Sequence, residues 1–226
     1  MSVGLIENVG KSFGYAVDNT LKKILRWIGL TIVMCIPIVN FIAMGLFLKV
    51  FRGEEPDFSN AGKSFIQGLL LFIISIIYVI IPIIAFVILG GASIITAIIA
   101  PEAATDAILA GGAGLGIIAL FVLAIIFGLI MLPAEINFAR KQSFGAAFKF
   151  GEIFGMIGKL GWGKYILSII LIYIISLIFG FVVGLVEVGL VAANPVLGAI
   201  ISFLTIPFAN PFAKFFEFKY YANLFE

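Results

Sequence analysis

The side chains that could do chemistry in this chain are its acids. Its 226 residues contain no histidine and one cysteine, so the commonest general base, the commonest metal ligand and any intrachain disulfide are missing. Glu54, Glu55 and Asp57 flank Pro56. Three carboxylates on one turn offer hard oxygens to a divalent cation, or form a solvated turn balanced by Arg52 and Lys63. Glu135 follows Pro133 by two residues and Glu187 interrupts the longest apolar stretch. An ionisable group at membrane depth is a functional candidate; the same acids would serve equally as boundary charges at the membrane surface. Cys35 has no basic neighbour to activate it and is expected to be a small core residue. Gly10-Lys11-Ser12 and Gly62-Lys63-Ser64 resemble the end of a phosphate loop, but Leu5 and Asp57 stand where that loop needs its first glycine. No catalytic residue, metal ligand or cofactor is assigned.

The elements that must position these acids are membrane elements. Hydrophobic residues make up 63% of the chain and charged ones 12%, against about 25% charged in a soluble domain. Mean hydropathy is +1.25. Fourteen basic against twelve acidic residues leave a net charge of +2, which argues against a nucleic-acid partner. The bilayer itself is the expected partner, with other membrane proteins as further candidates. Uncharged runs cover 27–48, 64–101 and 107–134, and a fourth, 165–213, is broken only by Glu187. About 20 residues cross the hydrocarbon core, so the fourth run holds two spans divided at Asn194-Pro195. Gly90-Gly91 should end the helix of the second run, leaving 92–100 as a flanking segment, and Pro82 should kink it.

These runs predict one all-α, polytopic integral membrane domain with about four full spans plus a re-entrant or fifth span. Its parts are a leader at 1–26, a re-entrant hairpin or span at 27–50, a helical hairpin at 64–140, an interfacial helix with a second hairpin at 143–214, and a tail at 215–226. In the leader, Ile6, Val9, Phe13, Val17, Leu21 and Ile24 recur at helical spacing opposite Lys11, Asp18, Lys22 and Arg26. That pattern suits an amphipathic helix lying in the membrane surface. A second such helix is expected over 143–158, with Phe144, Phe148, Phe154 and Ile157 as its apolar stripe. The tail, rich in Phe and Tyr, reads as an aromatic anchor at the interface. Packing against the bundle's own rim is the alternative for all three.

The charges fix a direction. Four basic residues precede residue 27, three lie in 49–63, five in 135–164 and two in the tail, which accounts for all fourteen. The connections at 102–106 and 187–195 carry only acids. The positive-inside rule then puts the four basic segments and both termini in the cytoplasm, provided 27–48 enters and leaves on one side. Pro37 and Asn40 near its middle allow that re-entrant turn; the other threading is a single span with the leader outside. A weak internal repeat favours the hairpin. Lys63-Ser64-Phe65 and Gln142-Ser143-Phe144 each open an apolar region, and Pro133…Phe138-Ala139-Arg140 and Pro207…Phe212-Ala213-Lys214 close them with equal spacing. Of the glycines spaced by four, only Gly180 and Gly184 lie inside a clear span, where close helix packing is the expected use.

The order Ile36-Pro37, Gly45…Arg52-Gly53-Glu54-Glu55-Pro56-Asp57-Phe58, Phe65…Gln67-Gly68…Tyr78…Pro82 resembles the membrane domain-of-unknown-function family 4013. The Pro133…Arg140…Phe144…Phe148 block and the closing Pro207…Tyr221 region fit as well, although Asp57-Phe58-Ser59-Asn60 stands where a tryptophan-containing stretch is usual. The resemblance implies a multi-pass membrane protein of a mainly archaeal group and supplies no catalytic residues. The function expected is therefore non-enzymatic, organising a membrane complex or lipid surface. A transporter or channel for a small solute or ion is the alternative.

Overall fold

The structure is a computed structural model that describes residues 4–91, 95, 98–99 and 112–226. Among the described residues it is all-α, with no strand. Its helices are α1 Leu5–Asn19, α2 Ile24–Cys35, α3 Asn40–Phe51, α4 Ala61–Phe86, α5 Gly112–Lys141, α6 Phe150–Leu160, α7 Trp162–Ala193 and α8 Pro195–Leu224. A π-helical turn, Val87–Gly91, prolongs α4, and a 3-10 turn, Phe144–Phe148, precedes α6. The expected segment at 92–100 and the connection at 102–106 lie outside the described residues, apart from isolated positions. Among the described residues three helices are long and apolar enough to cross a membrane: α4, Gly116–Lys141 of α5, and α7.

Local chemistry explains most of the boundaries. Asn194 caps α8 through its side-chain oxygen, which accepts from the backbone N–H groups of Val196 and Leu197, while Pro195 fills the first helical position. Gly161, at φ +90°, turns α6 into α7 through a left-handed conformation that side chains disfavour. The run 27–48 is broken after Cys35, and α2 and α3 are short helices of 12 residues each. Their far ends are drawn together. Glu55, beyond α3, meets Lys23 at 2.5 Å and Arg26 at 2.6 Å at the start of α2.

The tightest crossing is between α3 and α4. A Cβ on Gly45 would fall on the Ser64 carbonyl, and one on Gly68 on the Phe41 carbonyl, so both helices approach through bare backbone. The π-helical turn makes a similar approach to α5, where a Cβ on Gly116 would lie 2.7 Å from the Gly90 Cα.

The packed core sits at one end of the molecule, where α3, the last turns of α5, and the last turns of α8 meet. Phe47, Leu48, Ile136, Phe138, Phe215 and Tyr220 are all buried there. Phe51 stacks on Phe218 at 4.7 Å, and Phe47 meets Phe215 edge-on at 5.1 Å. Away from this base, α4 runs with α5 and α7 with α8 as two hairpins whose apolar side chains, such as Ile125 and Phe181, are exposed.

Several expectations change. The tail aromatics Phe215, Phe216, Tyr220 and Tyr221 are buried in the core instead of being offered to lipid, because α8 continues unbroken to Leu224 and carries them under α1 and α3. The stretch 143–158 is not one helix. It breaks at Lys149, and the residues that α6 buries are Ile153 and Ile157, while Phe154 is exposed. Cys35 is exposed at the end of α2, not in the core. The leader is not among these changes: α1 leaves the apolar residues Ile6 and Phe13 85% and 55% exposed and packs on the bundle through Asn8, Ser12 and Ala16.

Candidate functional site

The four basic segments close into a ring at the packed end. Glu55 joins the leader to the turn after α3 through Lys23 and Arg26. Arg52 of that turn donates to the Ala139 carbonyl of α5, and Arg140 beside it donates back to the Phe51 carbonyl. Arg140 also donates to Ala222 and Phe225 in the tail, at 3.3 and 3.0 Å. Asn8 completes the ring, donating to the Tyr220 carbonyl at 2.9 Å and accepting from Asn223. Helix C-termini carry unpaired carbonyls and a partial negative charge. Two guanidinium groups therefore hold the ends of α3, α5 and α8 together.

The acidic turn belongs to this ring, and each carboxylate has its own cation. Arg52 grips Glu54 through two nitrogens at 2.7 and 3.0 Å and holds its pKa below the usual carboxylate range. Lys23, then Arg26, lower that of Glu55. The Lys49 ammonium meets Asp57 at 2.7 Å and, with the Ser59 hydroxyl, depresses its pKa to about 2. Lys63, expected to balance the turn, makes only a longer-range contribution to Glu54, while Lys49, Lys23 and Arg26 carry out that task. Glu152, at the start of α6, is likewise held down to about 2, first by Lys141 and then by Asn137.

Glu135 lies on α5 one turn above the ring. It is within electrostatic reach of the Lys214–Glu217 pair on α8 and of the hydroxyls of Tyr78 and Tyr165. Tyr165 donates to the carbonyl of Leu129. That carbonyl lies four residues before Pro133, whose missing N–H would otherwise have paired with it. Tyr78 reaches across to the Ala147 carbonyl at 2.6 Å, tying α4 to the 3-10 turn.

Glu187 is elsewhere. It sits on α7 seven residues before Asn194, about 33 Å along the helix from Tyr165 at 1.5 Å per residue. The two candidate acids, Glu135 and Glu187, are thus not brought together. Glu187 lines a cavity of about 450 Å³ between α7 and α8, with Ser176, Gly180 and Gly184 on its own helix and Asn210 opposite. Gly180 and Gly184 are not used for close helix packing, since a Cβ on either would meet nothing within 4 Å. They widen the cavity. One carboxylate oxygen of Glu187 is buried without a hydrogen-bond partner among the described residues.

Arg140, Asn137, Tyr165 and Asn210 are the participants that sequence reasoning passed over. Tyr165 had a readable signal in Pro133, which announces a carbonyl in need of a donor; the others depend on contacts between distant segments.

The family model described as "Protein of unknown function (DUF4013)" matches residues 29–188. No curated protein and no solved structure matches.

Proposed function

This chain belongs to the DUF4013 family of proteins of unknown function, and we propose that it is a non-enzymatic, multi-pass protein of the cell membrane that organises a membrane complex or lipid surface through a basic cytoplasmic base. In this reading α4, α5, α7 and α8 are four full spans, and α2 with α3 is a re-entrant pair resting on α4 and α8. The leader lies along the membrane surface with Ile6 and Phe13 toward lipid. Both termini are cytoplasmic, and lipids and other membrane proteins are the partners.

The observation that carries the reading is the ring. Every basic segment is tied to the next by a hydrogen bond or ion pair at one end of the molecule, through Glu55, Arg52, Arg140 and Asn8. The Asn194 corner lies at the other end of α7. Positive charge collected at one end and apolar hairpins leading away from it are what the positive-inside rule asks of a cytoplasmic face.

The test uses single cysteines in a Cys35→Ala background at three exposed positions, Lys22, Asn60 and Asn194. An impermeant thiol reagent applied to intact cells should label Asn194→Cys and leave Lys22→Cys and Asn60→Cys unlabelled until the membrane is opened. Labelling of Lys22 and Asn60 from opposite sides makes 27–48 a plain span and overturns the re-entrant pair.

The cavity containing Glu187 favours a second reading, a transporter or channel in which that acid meets a solute or ion. Uptake into vesicles holding the purified chain, lost in Glu187→Gln, would distinguish it from the organising role.

A further inference from the structure

We propose that the cavity between α7 and α8 is a binding site for a long-chain amphiphile drawn from the surrounding bilayer, whose ammonium head is held by Glu187. The inference rests on the reading above in one respect, that α7 and α8 cross the membrane.

The cavity has the size of a small-molecule site, which typically measures about 300–1,000 Å³, at about 450 Å³. It is elongated along α7. Ser176, Gly180, Gly184 and Glu187 recur at helical spacing on one face, and the eleven steps from Ser176 to Glu187 extend about 16 Å at 1.5 Å per residue. That is about half the thickness of the hydrocarbon core, the depth one leaflet's chain occupies. The described walls are apolar apart from Ser176, Asn210 and Glu187, and the end near the base is closed by Phe13 of α1 with Phe212, which meets it edge-on at 5.4 Å. An acyl chain fits this shape.

The head is specified by charge. Among the described residues of the lining Glu187 is the one ionisable group, and no lysine or arginine faces it there. Among the described residues its buried oxygen has no partner. A carboxylate oxygen buried among apolar walls is costly unless it is paired, and the described residues supply no counter-ion within the cavity. An ammonium on the ligand would provide both the opposite charge and N–H donors, and charge-assisted hydrogen bonds of this kind are the stronger ones. The two glycines provide the room: with side chains at 180 and 184 the cavity would be filled from its own helix.

The experiment uses the full chain in phosphatidylglycerol vesicles, whose head group carries no ammonium. Two photoreactive probes of equal chain length are compared at neutral pH, a long-chain alkylamine and the corresponding alcohol, with cross-linked peptides located by mass spectrometry. The expected result is labelling of α7 and α8 by the amine about tenfold above the alcohol, the factor that one charge-assisted hydrogen bond is worth. Glu187→Gln, which keeps the shape, should bring the amine down to the level of the alcohol. Gly184→Leu should abolish labelling by both. If that variant does not fold, as judged by circular dichroism, Glu187→Gln decides alone.

Equal labelling by the two probes in the unmodified chain, or an amine preference that survives Glu187→Gln, overturns the site. So does efficient cross-linking of two copies through Gly180→Cys in the Cys35→Ala background, since a second copy would then fill the groove. Accessibility of Asn194→Cys separates the two failures. If it still labels from outside while the amine preference is absent, the site falls and the topology stands; if it does not, the topology falls.

Discussion

Tyr165 and Pro133 form a pair whose energy can be isolated. The proline removes the N–H that would have satisfied the Leu129 carbonyl, and the Tyr165 hydroxyl takes its place. Tyr165→Phe should therefore cost about 1–2 kcal/mol, the penalty for an unsatisfied buried acceptor. In a Pro133→Ala background the backbone donor returns, and the same substitution should cost almost nothing. Equal losses in both backgrounds, measured by thermal unfolding in detergent, would show that the two residues act independently. Asp57 permits a pH argument of defined sign. Its carboxyl is depressed from 3.8 to about 2, first by the hydrogen bond from Lys49, whose side chain is buried. A group with a depressed folded pKa contributes fully above its unfolded value, and the contribution fades as pH falls through the folded one. The clamp should thus hold at neutral pH and weaken between pH 3.8 and about 2. Asp57→Asn, leaving Lys49 with the Asp57 backbone carbonyl and no carboxylate, should lower the melting temperature at neutral pH and flatten its dependence within that acid window. An unchanged acid profile in the variant would assign the effect to other carboxylates.

Helix α3 meets α4 through glycine, and that crossing is the most demanding feature at the scale of elements. Because a Cβ on Gly45 or Gly68 would collide with main chain and not with a yielding side chain, Gly45→Ala and Gly68→Ala should each force the helices apart and greatly reduce the yield of folded protein. Gly62→Ala and Gly128→Ala, with nothing within 4 Å, are the controls and should be tolerated. Size-exclusion profiles of the four variants would check this; normal behaviour of Gly45→Ala would mean the crossing can relax. These two glycines are not spaced within one helix, so no small-residue stripe marks the crossing, although both stand in the pattern that carries the family resemblance. What sequence does reveal are features with local causes. The break in 27–48 follows from Pro37, and the α7–α8 corner from Asn194-Pro195, whose cap and first helical position are chemistry within four residues. The pairing of Arg52 with Glu54 is equally local, whereas Glu55 meets a lysine 32 positions away and its partner is invisible in the chain. Gly180 and Gly184 show why a small-residue stripe is ambiguous: the missing side chains admit a neighbouring helix or leave an empty groove, and only the position of α8 selects between them. The aromatic tail is ambiguous for a related reason, since core aromatics and interfacial aromatics have the same composition and differ only in what covers them.

Burial is distributed unevenly over the whole molecule. Only 22, 17 and 6% of the most apolar windows of α4, α5 and α7 are buried within the protein, while α3 and the last turns of α8 are almost wholly enclosed. The hairpins therefore rely on an apolar medium for most of their cover, and the base relies on its own packing. Tail residues Phe215, Tyr220 and Tyr221 join three elements at once: Phe215 touches Tyr15 and Phe47, the Tyr220 carbonyl accepts from Asn8, and Arg140 grasps the carbonyls beyond them. Truncation after Lys214 removes all of these contacts and leaves α4, α5 and α7 intact by length and composition. The shortened chain should still enter the membrane, because insertion follows hydropathy. Its base should come apart, exposing the 52–60 turn, where Gly53, Glu54 and Glu55 already reach the surface. Limited proteolysis of inverted vesicles, with the base outward, should then cleave that turn much faster in the truncated chain than in the full one. Arg140→Ala, which keeps every aromatic but frees the carbonyls of Phe51, Ala222 and Phe225, should give an intermediate rate. If truncation leaves the cleavage rate unchanged, the tail is not what holds the base together, and the ring through Arg52 and Glu55 is sufficient alone.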